Sequence, residues 1–400
     1  MPAEMDHPGS SILAGVRERF ESSTDFTIGV EEEFQLLDPE TLALVNRFED
    51  MIDGADERLR ERFSGELIAS ELEFRTVKHD SFASAAREIA EGRLATAALA
   101  ERLGIAIGIT GVHPFSHWTE QRIIDTPHYR LVEEGLGYVA WTNNTWALHL
   151  HVGVRGADRA MAVSTAMRSV LPEILALSAN SAIFHGRATR LHSTRTQVFI
   201  RSFPRCGIPD PLQTWAEYAD YVAMLERTNS IIESTQIWWS VRPHHSFGTI
   251  EVRIADGQTE IAETYAVAGL MLACLAAFCA DYDAGRPLPA HPGRLIEENL
   301  WRAIRFGLPG RMIDLDRLVE RPTARAIEDL LVRSEGVHDA LGLRPYLAHV
   351  DAMIAHGNGA MRQLERLERF GDVRSVHAEV VERTRRSAEE ALALAGTAAE

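Results

Sequence analysis

Apolar residues recur at alternate positions through Phe26, Ile28, Val30, Phe34 and Leu36, broken only by Glu32. This alternation predicts a strand with one buried face. Its parity sends Glu31 and Glu33 together to the opposite face and turns Glu32 toward the hydrocarbon. The device returns further along the chain. Within Gly65–Val77, the face of Glu71, Glu73 and Arg75 opposes Leu72, Phe74 and Thr76, with Glu66 at the strand's entry or at a bulge. Within Trp146–Val154, the face of Ala147, His149, His151 and Gly153 opposes Leu148, Leu150, Val152 and Val154. Within Gly248–Ala255, Glu251 and Arg253 oppose Ile250, Val252 and Ile254. This last strand is expected to pair with Gln236–Pro243 around the turn His244–Phe247.

Between these strands the periodicity is mostly helical. A short amphipathic helix is expected from Ser11 to Glu21, and Asp38-Pro39-Glu40-Thr41 reads as a turn, with Leu42–Val45 returning against the first strand. Residues 48–63 have a helical pattern, and Asp80 is placed to cap an alanine-rich helix running to Leu103. Ile105–Ile109 is a buried strand, followed by a loop in which His113 and His117 either hydrogen-bond the loop or bind a ligand. Residues 157–182 are helical with a break at Pro172, and 212–228 form another helix. After Asp256-Gly257 the chain is expected to be helical over 259–284, 294–306, 322–336, 344–356 and 373–397. Ile183–Pro211 lacks any apolar period and is expected to be a long loop. It gathers Arg187, Arg190, Arg195, Arg201 and Arg205, a basic patch suited to phosphate or carboxylate unless the protein's own acids take it up. A tail and short helix over 1–25 followed by a single catalytic domain over 26–400, mainly helical toward its C-terminus, is the expected organisation.

A hydrophobic content of 46% over 400 residues accords with a globular chain. The net charge of −17 argues against a broad nucleic-acid surface and against anionic membrane, while leaving room for a local nucleotide pocket. Cys206, Cys274 and Cys279 form neither a metal-spaced pair nor a disulfide framework. The first residues lack a basic, then apolar, leader, and the apolar run Ala266–Ala280 is short for a bilayer. A cytoplasmic protein is expected, with room for a homo-oligomer.

Paired carboxylates on one strand repel unless something cationic covers them, and a divalent metal answers that need. The alternative for any one strand is a solvated outer face. If the four polar faces converge, they supply Glu31, Glu33, Glu66, Glu73, His149 and Glu251, a mainly hard-oxygen set that favours Mg2+ or Mn2+ over zinc. Beside an arginine-rich loop, such a set suits a nucleoside triphosphate such as ATP held through its metal, as no Walker or Rossmann glycine motif occurs. Two other readings stay open: a zinc amidohydrolase using His149 and His151, and a non-catalytic sensor of ATP or amino acids on the same fold.

Gly29-Val-Glu-Glu-Glu-Phe-Gln-Leu36 also resembles the opening signature of the ATP-dependent carboxylate–amine ligases of the glutamate–cysteine ligase type 2 family. Leu72-Glu-Phe-Arg-Thr76, Leu148-His-Leu-His-Val-Gly153, Ser193-Thr-Arg-Thr-Gln-Val-Phe199, Thr249-Ile-Glu-Val-Arg253 and Glu298-Asn-Leu-Trp-Arg302 follow in that family's order. The resemblance implies an α+β, glutamine-synthetase-like fold, an antiparallel sheet with one polar catalytic face and helices on the other. It implies metal ligation by Glu31, Glu33, Glu66, Glu73, His149 and Glu251. Arg195 and Arg253 would hold the substrate carboxylate or the transferring phosphate, with Arg201 as a further substrate contact. ATP would phosphorylate a carboxylate, L-glutamate in the family pattern, and an amino acid's amine would then displace phosphate. The chain departs from the pattern at Trp146-Ala147, where Cys-Gly is expected, in Trp141–Thr145, and in Arg201–Cys206. These departures leave the amine acceptor undetermined.

Overall fold

The computed structural model describes residues 11–397; the tail expected over residues 1–9 lies outside the described residues. The alternating segments form one antiparallel sheet. Its strands are β1 (Ile28–Leu37), β2 (Phe63–Ser64), β3 (Glu71–Arg75), β4 (Ala106–Gly108), β5 (Ala147–Gly153), β6 (Val241–His244) and β7 (Thr249–Asp256). The order across the sheet is β6-β7-β5-β1-β3-β2, with β4 pairing beside the end of β1. The Glu-rich strand therefore lies inside the sheet, between β3 and β5.

One face is covered as the apolar parity requires. Ile28, Val30, Leu148, Leu150, Val152, Ile250, Val252 and Ile254 pack in one core with helical residues of 157–178 and Ile261–Asp283. Pro172 sits in the first turn of Leu171–Ser178, where a missing N–H costs nothing, and the break falls there as expected. Both apolar stretches, 157–178 and the 23-residue Ile261–Asp283, prove long and apolar enough to cross a membrane, but their apolar windows are 100% and 94% buried in this core.

Glu32 is the exception in the apolar alternation, and its partner is Arg93 of the helix Phe82–Arg102. The guanidinium donates to Glu32 Oε1 and Oε2 at 2.6 and 2.8 Å, and also to the carbonyls of Gln258 and Thr259. Gly92 makes this approach feasible: a Cβ there would stand 2.2 Å from the ring of Phe74 on β3. That helix is capped by Ser81, whose hydroxyl accepts from Ser84 N–H, and not by Asp80 as expected.

Other differences are local. The expected loop 183–211 contains a helix, Thr194–Ser202, capped by Ser193. A hairpin, Arg311–Asp314 with Val319–Pro322, and a helix, Gly359–Phe370, are additional to the expected C-terminal helices. The last helix, Val373–Thr397, seals the helical side, with the Thr384 hydroxyl accepting from Ile109 N–H and the Ser387 hydroxyl from Ile261 N–H. His113 accepts from Ser116 N–H at 2.8 Å and contacts the Leu42 carbonyl, so it stabilises the loop.

Candidate active site

Strand register assembles the polar face row by row. Glu31 lies opposite Arg75 on β3 and His149 on β5, and Glu33 lies opposite Glu73. His151 lies opposite Glu251 on β7, which in turn faces Arg242 on β6. The Glu31 carboxylate links the two histidines, at 3.0 Å from His149 Nδ1 and 3.1 Å from His151 Nε2. Three sets of oxygen and nitrogen atoms each fall within 4.8 Å of one another: Glu31, Glu73 and His149; Glu31, His151 and Glu251; Glu33, Glu66 and Glu73. All six residues expected as metal ligands are thus brought together, and His151 joins them. No one set contains both histidines, and carboxylates outnumber imidazole in each, which disfavours zinc held by the His149/His151 pair.

A β-bulge delivers the arginine. Val252 pairs with Leu150 and Ala255 with Leu148, so Arg253 and Ile254 together oppose the single residue His149. Arg253 ion-pairs with Glu251, whose other oxygen accepts from Arg242 Nε at 2.6 Å. Arg195 fastens the bulge from behind, donating to the carbonyls of Ile254 at 3.2 Å and Arg253 at 3.1 Å. Arg195 is itself seated by the Ser181 hydroxyl and by Asp256, which also accepts from Asn180 N–H, Ser181 and Ser193. Both guanidinium Nη atoms of Arg195 are therefore occupied by main chain. Arg201 instead pairs with Glu297 at 2.9 Å, and Arg205 donates to the Gln236 carbonyl over the Trp238 ring. Arg187 and Arg190 are exposed, so the five arginines of the segment form no single patch.

The electrostatics call for cations. Burial pushes Glu66 up to about 7, reinforced by Glu33 and Glu31. Burial and neighbouring carboxylates hold Glu71 and Glu73 well above the ordinary carboxylate range. For Glu31, burial is outweighed by His151 and His149, and the carboxyl stays well below that range. Burial of Glu251 is likewise outweighed by Arg242 and Arg253. His149 Nε2 is buried without a hydrogen-bond partner, whereas His151 Nε2 meets the Glu31 carboxylate. An orphaned imidazole nitrogen among crowded carboxylates fits a hard divalent cation such as Mg2+ or Mn2+.

A pH signature follows from these shifts. A carboxyl raised in the folded state contributes stability below its unfolded value, and that stability is lost as pH rises through about 7 for Glu66. An added cation must displace those protons and then relieves the repulsion. Millimolar Mg2+ is expected to raise Tm by several degrees at about pH 8 and by clearly less at about pH 6. Thermal unfolding with and without the ion checks this; an equal shift at both pH values would place the cation elsewhere.

Two cavities meet at this row. One of about 360 Å3 is lined by Glu66, Glu73, Arg242, Glu251, Arg253 and Tyr129, among others. The other, about 750 Å3, is lined by Arg19, Arg62, Arg75, Lys78, Gly29 and the Ser22–Thr24 turn, among others. Glu31, Arg75, Ser246 and Phe247 border both. Sequence reading passed over Arg242, which the register of the expected hairpin with Glu251 could have found, and Glu71, already assigned to the Glu73 face. Arg195 and Arg201 line neither cavity.

In fold, the chain superposes on the glutamate–cysteine ligase of Francisella tularensis in complex with AMP with a TM-score of 0.64, at 13% identity, over 93% of this chain and 90% of that one. A bifunctional glutathione synthetase from Pasteurella multocida gives 0.63 over 94% of this chain and 54% of that one. The fold is the α+β, glutamine-synthetase-like one that the sequence led one to expect, an antiparallel sheet with one polar face and helices packed on the other. In sequence, the chain is 36% identical over 369 residues to a Rubrobacter xylanophilus protein named "Putative glutamate--cysteine ligase 2-2", covering 92% of this chain and 94% of that protein. It is 37% identical to a Solibacter usitatus protein named "Putative glutamate--cysteine ligase 2", covering 94% and 96%. The profile of glutamate–cysteine ligase family 2 matches residues 27–383, and the chain belongs to that family.

Proposed function

We propose that the protein is an ATP-dependent carboxylate–amine ligase that joins L-glutamate, through its γ-carboxylate, to the amine of an amino acid. Cysteine is the first candidate acceptor. The supporting observation is the convergence of Glu31, Glu33, Glu66, Glu73, His149 and Glu251 in one row, with Arg253 at its edge and a cavity on either side. The carboxylates would hold Mg2+ or Mn2+, which offsets charge on the ATP phosphates. A carboxylate oxygen attacks the γ-phosphorus and ADP leaves; the amine then attacks the acyl carbon, loses a proton, and phosphate departs. Arg253, fixed by Glu251, is placed to hold the anionic oxygens of carboxylate or phosphoryl group. Arg195 acts through Arg253 by fixing the bulge, and Arg201, on Glu297, is assigned no contact with substrate. The three free cysteines accord with the reducing cytoplasm, where such substrates occur.

ADP release from amino-acid pairs with Mg2+ tests the reading, beginning with glutamate plus cysteine. ADP is expected only when carboxylate and amine are both present. Binding of ATP with Mg2+ but no ADP from any pair would identify a sensor instead. Replacing Arg253 by lysine removes the planar fork, and the KM for the carboxylate is expected to rise about tenfold or more, with a smaller change in kcat. A normal KM would mean that Arg253 serves only Glu251.

A further inference from the structure

Lys78 is the sole lysine of this chain; every other cationic side chain apart from histidine is arginine. Its position depends on an irregularity at the end of β3. Thr76 N–H donates to the Val30 carbonyl at 3.0 Å, whereas Ile28 and His79 exchange both main-chain hydrogen bonds at 2.9 and 2.8 Å. Two residues, Val77 and Lys78, therefore oppose Gly29 alone. Without the extra residue Lys78 would stand opposite Ile28, on the face packed against helices. With it, His79 takes that position and pairs with Glu88 of the helix Phe82–Arg102. Lys78 is turned to the polar face and lines the larger cavity beside Gly29, Glu31 and Arg75.

The other cations of that cavity are already engaged. Arg62 lies 3.6 Å from Glu61, Arg75 lies 3.6 Å from Glu73, and Arg19 donates to the His245 carbonyl at 3.3 Å. Lys78 makes no hydrogen bond or ion pair among the described residues. An unpaired, solvent-exposed ammonium side chain thus lines a cavity of about 750 Å3 that shares Glu31 with the carboxylate row. The volume suits a ligand of nucleotide size. A compact charge with three rotatable donors can follow phosphate oxygens as they rearrange, which a planar guanidinium does less readily.

We propose that Lys78 binds the phosphate chain of the nucleotide in this cavity and is the residue that sets affinity for ATP. The proposal rests on the ligase reading and goes further by assigning the cavity and the residue. The test uses an acyl phosphate derivative of ATP on the full-length protein. The Lys78 amine attacks the acyl carbon, the bond to phosphate oxygen breaks, and an amide forms with loss of a proton and of the nucleotide. Peptide mapping is expected to locate the label on Lys78, distinct from the chain's terminal amine. ATP with Mg2+ should protect it, and glutamate should not. In Lys78→Met, the KM for ATP is expected to rise about tenfold with the KM for glutamate unchanged, and Lys78→Arg should recover part of the loss. If the wild type binds ATP and releases ADP, yet Lys78 is unlabelled or unprotected and Lys78→Met keeps its KM for ATP, the assignment is wrong and the ligase reading stands. If the wild type neither binds ATP nor releases ADP, both fall together.

Discussion

Glu31→Gln is expected to lower kcat/KM for ADP release on the order of 10³-fold while leaving the fold intact. Glu31 belongs to two of the three candidate cation sets and lies between both histidines, so its charge is shared by the whole row. The amide has the size of the carboxyl and can still meet His149. It cannot offset a cation, nor hold His151, whose protonation Glu31 and Glu251 favour against burial. Loss of this charge relieves repulsion on Glu73 and Glu66 but also removes the carboxylate that His151 and His149 hold ionised, so Tm without added metal should fall modestly. The rise in Tm caused by Mg2+ should shrink. Calorimetry together with steady-state ADP release separates the two effects. Near-normal turnover would falsify the assignment of Glu31 to cation binding.

Arg93→Met should destabilise the fold by about 3–5 kcal/mol, the usual cost of stranding one partner of a buried ion pair. Arg93 is inaccessible to solvent and the Glu32 side chain is 3% exposed. Removing the guanidinium leaves a carboxylate in hydrocarbon and takes a donor from the Gln258 and Thr259 carbonyls. The Thr264 hydroxyl, 2.8 Å from Glu32, cannot replace a charge. In the double variant with Glu32→Leu the loss should be clearly less than the sum of the single changes, since the stranded charge is gone. Urea unfolding of the four proteins measures the coupling. Additive losses would mean that the pair contributes nothing beyond packing.

Parity carried most of the site. A strand with Glu31 and Glu33 on one face and Ile28, Val30 and Phe34 on the other has few ways to satisfy both, and four such strands belong in one sheet. The same parity set Glu32 apart, and Arg93 supplies the cation that its position required. The bulges were hidden because an inserted residue changes neither composition nor local propensity. Arg253 and Ile254 read as ordinary alternation until β5 is seen to oppose them with His149 alone. Arg195 was read as a ligand for anions because it lies in an aperiodic, arginine-rich segment. Its partners, the carbonyls of residues 253 and 254, are nearly 60 positions away and carry no side-chain signal. The helix Thr194–Ser202 escaped because its buried residues, Thr194, Arg195 and Thr196, are polar; tertiary contacts override a weak local pattern. Gly359–Phe370 is the opposite case, since Asn358 caps it and its amphipathic pattern was readable.

The hydroxyls that Thr384 and Ser387 lend to Ile109 and Ile261 bear on how the chain matures. All seven strands of the main sheet are complete by residue 256, well ahead of the helix Val373–Thr397. The amides of Ile109 and Ile261 find their acceptors only 275 and 126 residues further along the chain. The catalytic sheet can therefore be assembled before the helix that closes its covered side exists. Until that helix docks, the hydrocarbon beneath it stays open to water.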